Sequence, residues 1–193
     1  CINNHTFYEC SSLTSIIIPN NVTSIKSYAF FGCTSLTSIN IPNGVTCINE
    51  FAFYECCSIK SIKIPSKVTS IANSTFYNCY SLTSINIHIN LNSIKENAFV
   101  NCTSLTSMNI SGYGKMRDFS LTKYSSFYSK EFDHPWSLFK SKIKSIFIEE
   151  GVISIGSNAF YDFHSLININ IPNCVTSIGN SAFYSYIHLA TIK

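Results

Sequence analysis

The chain has 193 residues, enough for one ordinary domain, and its 46% of hydrophobic residues excludes a disordered polypeptide. Only 12% of the residues are charged, with a net charge of +3, so serine, threonine and asparagine supply most of the polarity. No segment approaches the roughly 18–20 apolar residues of a membrane-spanning helix, and the N-terminus carries no secretory signal.

One residue pattern recurs along the chain every 23 residues. The recurring residues are cysteines (Cys10, Cys33, Cys56, Cys79 and Cys102), phenylalanines (Phe7, Phe30, Phe53, Phe76 and Phe99) and isoleucines (Ile18, Ile41, Ile64, Ile87 and Ile110). A fixed period of this length is typical of a solenoid, in which each repeat forms one coil stacked on the next. The repeat therefore predicts the architecture and favours binding over catalysis.

The second copy shows how one coil is expected to fold. Ile39 and Ile41 alternate with polar residues, which predicts a short strand with both side chains turned inwards. Pro42 then ends the strand, because proline cannot donate the next ladder hydrogen bond. Residues 45–48 predict a second short strand. Residues 27–33 carry apolar side chains at near-helical spacing, which predicts a single helical or 3-10 turn.

Regular coils occupy residues 1–110 and 143–193, with an irregular segment at 111–142. The first two residues of the chain match Ser24 and Ile25 of the following coil. We therefore expect one continuous domain that is a segment of a longer repeat array.

The cysteine column predicts a ladder of buried, reduced thiols. Phe163 and Tyr186 occupy the same column in later coils, and a position that accepts cysteine or an aromatic ring is a packing position. Disulfides between neighbouring coils remain an alternative. The other cysteines are Cys1, Cys47, Cys57 and Cys174, and none of the nine forms a Cys-x-x-Cys pair typical of zinc sites.

Residues on the solvent side of the main strands form two columns. The first is Ser15, Ser38, Ser61, Ser84, Ser107, Ser145 and Asn168, and the second is Ile17, Asn40, Lys63, Asn86, Asn109, Phe147 and Asn170. Such a surface either keeps a parallel sheet soluble or forms a polar groove for a peptide or glycan. In the second case Lys63 and Phe147 are the distinctive contacts.

The segment 111–142 is the strongest deviation from the repeat. Ile110 and Ile148 are 38 residues apart, where one coil needs 23, so 15 residues have been inserted. Residues 115–144 contain seven basic and three acidic residues, a net charge of +4, whereas the remainder of the chain has −1. Insertions in repeat proteins map to loops on one face, which is often the binding face.

Two interpretations of this segment stay open. As a binding loop it would offer aromatic and cationic contacts to a partner, namely Tyr113, Arg117, Lys123, Tyr124, Tyr128 and Trp136. As a degenerate coil it would use its aromatic rings to fill the core. Nucleic acid is disfavoured as a partner, because the charge is small and no nucleic-acid motif accompanies it.

The sequence predicts neither catalysis nor a cofactor. Three aspartates are present in total, and the five histidines fall at different repeat positions. No nucleophile elbow, phosphate-binding loop or His-Glu-x-x-His motif occurs, so we assign no catalytic and no metal-binding residue.

The repeat resembles the BspA-like leucine-rich repeats, a class with 23-residue units. The resemblance rests on Leu-x-x-Ile-x-Ile-Pro (Leu36 to Pro42), Val-Thr-Ser-Ile (Val22 to Ile25) and Ala-Phe-x-x-Cys (Ala29 to Cys33), over about residues 1–110 and 143–193. It implies a right-handed, β-rich α/β-type coil stack with a curved parallel sheet. It also implies a surface or secreted protein that adheres to other proteins or cells, without membrane insertion.

Two other functions remain open at this point. The same solenoid could be a cytoplasmic scaffold that docks a regulatory protein and keeps its cysteines reduced. Alternatively, the coil faces at the two ends could stack head to tail, which would make the chain a self-associating structural protein.

Overall fold

The computed structural model describes residues 1–119, 136–185 and 189–192, which form two compact units, residues 1–105 and 106–193. Both consist of coils with short parallel strands. The strands are β1 (Ser24–Ile25), β2 (Cys47–Ile48), β3 (Ser61–Lys63), β4 (Ser70–Ile71), β5 (Ser84–His88), β6 (Ser93–Ile94), β7 (Ser107–Ser111), β8 (Gly114–Lys115), β9 (Ser145–Ile148), β10 (Val152–Ile155), β11 (Asn168–Asn170), β12 (Ser177–Ile178) and β13 (Thr191–Ile192). The only helical element in the described residues is the 3-10 turn Ser137–Phe139.

In the first unit, neighbouring coils pair in parallel with the same 23-residue offset as the sequence repeat. On the main face β3 pairs with β5, and a bridge joins Ile17 to Asn40. On the second face β1 pairs with β2, and β4 with β6. A tight turn connects the two faces: the Val45 amide donates to the Pro42 carbonyl at 3.0 Å. His88 takes the proline position in a later coil, and the Leu91 amide donates to its carbonyl at 2.9 Å.

The second unit has the same two faces. Its main sheet has the order β7-β9-β11-β13, and its second sheet has the order β8-β10-β12, all parallel. The pairing of β8 with β10 shifts by one residue between Val152 and Ser154, which makes Ile153 a bulge. The predicted parallel-strand repeat solenoid of the leucine-rich-repeat type, with second short strands, is confirmed.

The third side of each coil differs from the expected helical or 3-10 turn. Residues 26–33 form successive β-turns, in which the Ala29 amide donates to Lys26 and the Cys33 amide to Phe30. The third residue of each of these two turns is left-handed, Tyr28 with φ 61° and Gly32 with φ 69°. Alternate amides donate to the next coil instead, as from Phe30 to the Ala52 carbonyl at 2.8 Å. Inter-coil bonding therefore takes the donors that a helix would use internally.

The core is a set of side-chain columns that follow the repeat. The phenylalanine rings of successive coils stack at centroid distances between 5.1 and 5.4 Å, from Phe7 through Phe30, Phe53 and Phe76 to Phe99. Inward-facing isoleucines of the strands, such as Ile25, Ile62 and Ile85, are buried beside them. Aromatic pairs in such offset stacks add about 0.5–1.5 kcal/mol beyond their buried area. Each coil is therefore held by its neighbours.

The cysteine column is buried from its second member onward. Cys33, Cys56, Cys79 and Cys102 have no exposed surface, whereas Cys10 of the first coil is exposed, and all nine cysteines are free thiols. Each buried thiol donates to a carbonyl 26 residues earlier, as from Cys56 to Phe30 at 3.2 Å. Phe163 fills the same column and is fully buried, as expected, while Tyr186 lies outside the described residues.

Burial predicts which of these thiols react. It raises the pKa of the Cys33 thiol to about 11 and raises the pKa of Cys56 as well. Since the thiolate is the reactive species, a rise of two units lowers its fraction at pH 8 about 100-fold. In the folded protein iodoacetamide should therefore modify the exposed Cys1 and Cys10 first and spare the four buried thiols, as followed by peptide mass spectrometry. Modification of Cys33 or Cys56 as fast as Cys10 would contradict a buried ladder.

Candidate functional site

A shallow cavity of about 530 Å³ opens on the main sheet of the second unit. Residues of β9, β11 and β13 line it, namely Ser145, Ile146, Phe147, Asn168, Ile169, Asn170 and Thr191. Side chains alternate along each strand, so Ile146 and Ile169 point into the core and the side chains of their neighbours face the cavity. The cavity thus combines one large ring with small hydroxyl and amide groups.

Phe147 is the distinctive residue of this cavity. Its side chain is 48% exposed although it lies in the middle of a sheet. In register it is flanked by Asn109 on β7 and Asn170 on β11. An exposed ring among hydrogen-bonding side chains is the usual composition of an interface anchor. The predicted column around Phe147 is therefore present as a surface.

Lys63, the other distinctive residue of that column, belongs to the first unit. It is the last residue of β3 and is exposed, with Asn86 beside it in register on β5. Ile17, earlier in the column, is 94% exposed and pairs with Asn40. This unit thus presents an ammonium group and an apolar side chain among amides on its main face.

Residues 113–119 of the irregular segment form a strip at the edge of the second sheet. Tyr113, Lys115 and Arg117 are exposed, whereas Met116 and Phe119 between and after them are buried. The ring of Tyr113 is 89% exposed. The Arg117 guanidinium lies 4.7 Å from the centre of the Phe119 ring, a cation–π contact. An aromatic ring and two cations therefore face solvent together.

Trp136 belongs to the core, not to this strip. Its side chain is fully buried, its Nε1–H donates to the Ala159 carbonyl at 2.6 Å, and its ring meets Phe119 edge-on at 5.2 Å. It stands in the phenylalanine column next to Phe160. Trp136 is therefore a packing residue and not the partner contact that the sequence predicted, because a ring without exposed surface cannot touch a ligand. Lys123, Tyr124 and Tyr128 lie outside the described residues.

Backbone and side-chain contacts show which described residues of the segment 111–142 belong to coils. The Phe119 amide donates to the Ser157 carbonyl at 2.9 Å, as a regular coil does with the next one. Coil contacts resume at Trp136. Residues 111–119 and 136–142 therefore make the contacts of coil residues.

A second cavity, of about 560 Å³, lies in the first unit and was not anticipated from the sequence. Its lining is entirely polar, with Asn3, Asn4, Lys26, Ser27 and Asn49. The sequence did contain a signal, because two repeat columns are polar at these positions. One column holds Asn3, Lys26 and Asn49, and the other holds Asn4 and Ser27. Their polarity did not distinguish them from an ordinary exposed surface.

Within the described ranges, no group of three or more His, Cys, Asp or Glu side chains is arranged to hold a metal ion. The same part of the chain contains no helix long and apolar enough to cross a membrane.

The coil geometry agrees with a known repeat family. A model described as BspA type leucine-rich repeat region matches residues 1–130 and 136–193 in 6 copies. The chain belongs to the BspA-type leucine-rich repeat family. Repeats of this kind form protein-interaction modules, because stacked coils create extended surfaces. No curated protein is significantly similar to the chain.

Several solved structures of leucine-rich repeat proteins resemble this BspA-type chain. A leucine-rich repeat protein of T. pallidum is 22% identical with a TM-score of 0.56, over 97% of this chain and 70% of its own. A leucine-rich cell surface protein of Faecalibacterium prausnitzii is 27% identical with a TM-score of 0.46, over 100% of this chain and 58% of its own. A leucine-rich repeat protein of Bacteroides ovatus is 24% identical with a TM-score of 0.36, over 99% and 58%. The first of these likenesses concerns the fold alone.

Proposed function

We propose that this BspA-type chain is a non-catalytic module that binds an extended segment of a partner protein on the solvent side of its main sheet. The half-exposed Phe147 ring, set among Asn109, Asn170 and Ser145, carries the proposal. An apolar anchor of the partner would cover the ring, and the amides and hydroxyls around it would bond the partner's polar groups.

Spacing supports a protein segment as the ligand. Neighbouring strands lie about 4.8 Å apart, so the outward side chains of β9, β11 and β13 form a regular ladder. An extended peptide that crosses these strands meets one polar position at each coil. Solenoids offer such surfaces to partners over several repeats.

For the location of this binding, we propose the cell surface or the extracellular medium, with a role in adhesion. Family membership supports this proposal, since the resemblance to BspA-like repeats implies adhesion. The exposed strip of Tyr113, Lys115 and Arg117 would then be a second contact beside the main sheet.

A binding assay with matched variants tests the site. Phe147→Ser should weaken binding to a responsive protein, chosen from a panel of matrix and cell-surface proteins, at least 10-fold by biolayer interferometry. That factor corresponds to the loss of about 1.4 kcal/mol or more from one interface anchor. Tyr184→Ser is the control, because Tyr184 is similarly exposed, at 54%, on the turn side of the same unit. It should leave binding within about 2-fold.

Two other results would count against this site. Equal losses for Phe147→Ser and Tyr184→Ser would mean that the ring has no specific role. A loss confined to a Tyr113→Ala, Arg117→Ala double variant would place the contact at the strip instead. Circular dichroism of each variant separates loss of binding from loss of folding.

The free thiols favour a second candidate, a scaffold in a reducing compartment. The nine cysteines all belong to the described residues, and none of them forms a disulfide. Stable disulfides form mainly in oxidising compartments. Mass spectrometry of protein from its native source decides between the two, because disulfides or glycans favour the surface role and nine free thiols without glycans favour the scaffold.

A further inference from the structure

We propose that the polar cavity of the first unit is a binding site for a saccharide that carries a carboxylate. The cavity measures about 560 Å³ and is lined by Asn3, Asn4, Lys26, Ser27 and Asn49. This volume lies within the range of small-ligand sites. The cavity belongs to the first unit and Phe147 to the second, so this site is independent of the function proposed above.

The lining side chains have free hydrogen-bonding capacity. Lys26, Ser27 and Asn49 are each half-buried, yet none makes a side-chain hydrogen bond or ion pair to any described residue. Asn3 uses only its Oδ1, which accepts from the Cys1 thiol at 3.0 Å, so its amide N–H groups remain available. Three ammonium donors, several amide donors and acceptors and one hydroxyl thus converge on a single volume.

The backbone around the cavity favours a saccharide over a peptide. The Lys26 amide donates to Ile2 at 3.0 Å, the Asn49 amide to Ile25 at 3.0 Å and the His5 amide to Ser27 at 3.2 Å. Inter-coil bonds therefore use these backbone groups of Lys26, Ser27 and Asn49, which are not available to pair with a peptide strand. The side chains of the cavity offer amides, a hydroxyl and an ammonium, which match a ligand rich in hydroxyl groups.

Charge identifies the remaining feature of the ligand. Lys26 is the one charged residue in the lining, and the nearby Glu50 neither lines the cavity nor pairs with it. A half-buried ammonium without a counter-ion attracts an anionic group more strongly than a fully solvated one. A sugar carboxylate meets this requirement and keeps neighbouring hydroxyls for Asn3 and Asn49.

Titration of the whole chain with a hyaluronan tetrasaccharide, which contains glucuronate, tests the site by isothermal calorimetry. Lys26→Met should weaken binding at least 10-fold, and Asn49→Ala should weaken it less, by about 3-fold or more. The methyl ester of the tetrasaccharide should bind at least 10-fold more weakly than the acid. Lys67→Met is the matched control, since Lys67 is an exposed lysine of the same unit, in the turn between β3 and β4, and belongs to neither proposed site.

Each alternative result overturns the proposal. Absence of binding by the folded wild-type chain would remove the saccharide as a ligand. Equal losses for Lys26→Met and Lys67→Met would indicate non-specific attraction, and equal binding of the acid and its ester would remove the role of the carboxylate. Equally tight binding of acetate would reduce the site to an adventitious ion only. Thermal unfolding of the variants establishes that the losses arise in a folded protein.

Discussion

Replacing Trp136 with alanine should lower the free energy of unfolding of the second unit by about 3–5 kcal/mol, the usual cost of deleting a buried large aromatic side chain. The indole is fully buried between Phe119 and Phe160, and its Nε1–H donates to the Ala159 carbonyl at 2.6 Å. Alanine would leave a cavity in the core and would remove the indole donor of the Ala159 carbonyl.

Two variants bracket this effect. Trp136→Phe keeps a ring in the column but loses the hydrogen bond, so a loss of about 1–2 kcal/mol is expected. Tyr113→Ala removes an aromatic ring that is 89% exposed and should cost less than about 0.5 kcal/mol.

Urea unfolding followed by circular dichroism measures these differences. Hydrogen exchange assigns them to residues 136–185, since the two units need not unfold together. The packing role would be refuted if Trp136→Ala cost no more than Tyr113→Ala. Emission of the wild-type tryptophan near that of free indole in water would contradict its burial.

Much of the fold was predictable because its determinants are periodic. Ile39 and Ile41 alternate with polar residues, and Pro42 follows them in a repeat of fixed length, so strand, turn and stacking direction follow from spacing alone. Register is then set by the repeat, because any slip would turn the isoleucines outwards. The second short strands were predictable for the same reason.

The turn side of the coils was harder to predict. Ala29, Phe30 and Cys33 have helical spacing, yet successive β-turns bring the same residues inwards. The local signal was the residue type at two columns four residues apart, where glycine, asparagine and aspartate are frequent. Asn78, Asn101 and Asp162 are left-handed, as these residue types tolerate. Tyr28 and Phe51 are also left-handed, although aromatic residues do not indicate this conformation, so the column is hard to recognise in the sequence.

The candidate sites were only partly predictable. The columns placed Phe147 and Lys63 on solvent-facing positions, since alternation settles which face a strand residue occupies. Aromatic composition could not separate Trp136 from Tyr113, because both interpretations of the segment require rings. Whether each ring is buried or exposed depends on how its segment pairs with the next coil. The bulge at Ile153 shifts that pairing between β8 and β10.

Gly156 should be nearly as sensitive to substitution as Trp136, although it contributes no side chain. A methyl group built on Gly156 would overlap the carbonyl of Arg117 and lie 3.0 Å from the Asp118 amide nitrogen. Around this close approach the Met116 amide donates to Ser154 at 3.1 Å and the Asp118 carboxylate accepts from the Ser157 amide at 2.6 Å. Gly156→Ala must therefore displace residues 116–119 and weaken these bonds.

The expected cost is about 3–5 kcal/mol, from about 1–3 kcal/mol of overpacking and about 1 kcal/mol for each hydrogen bond disturbed. Gly44→Ala is the control, since a methyl group there meets only the Asn20 and Val22 carbonyls at 3.3 and 3.4 Å, and it should cost less than about 1 kcal/mol.

Hydrogen–deuterium exchange of residues 113–119, together with urea unfolding, measures the result. Faster exchange in this segment with an intact core would show that the strip of Tyr113, Lys115 and Arg117 is held by one backbone crossing. Unchanged exchange and stability would mean that residues 116–119 do not pack on Gly156 in solution. Because the displaced strip carries the exposed ring and both cations, Gly156→Ala also tests its role in binding without altering any residue that would touch the partner.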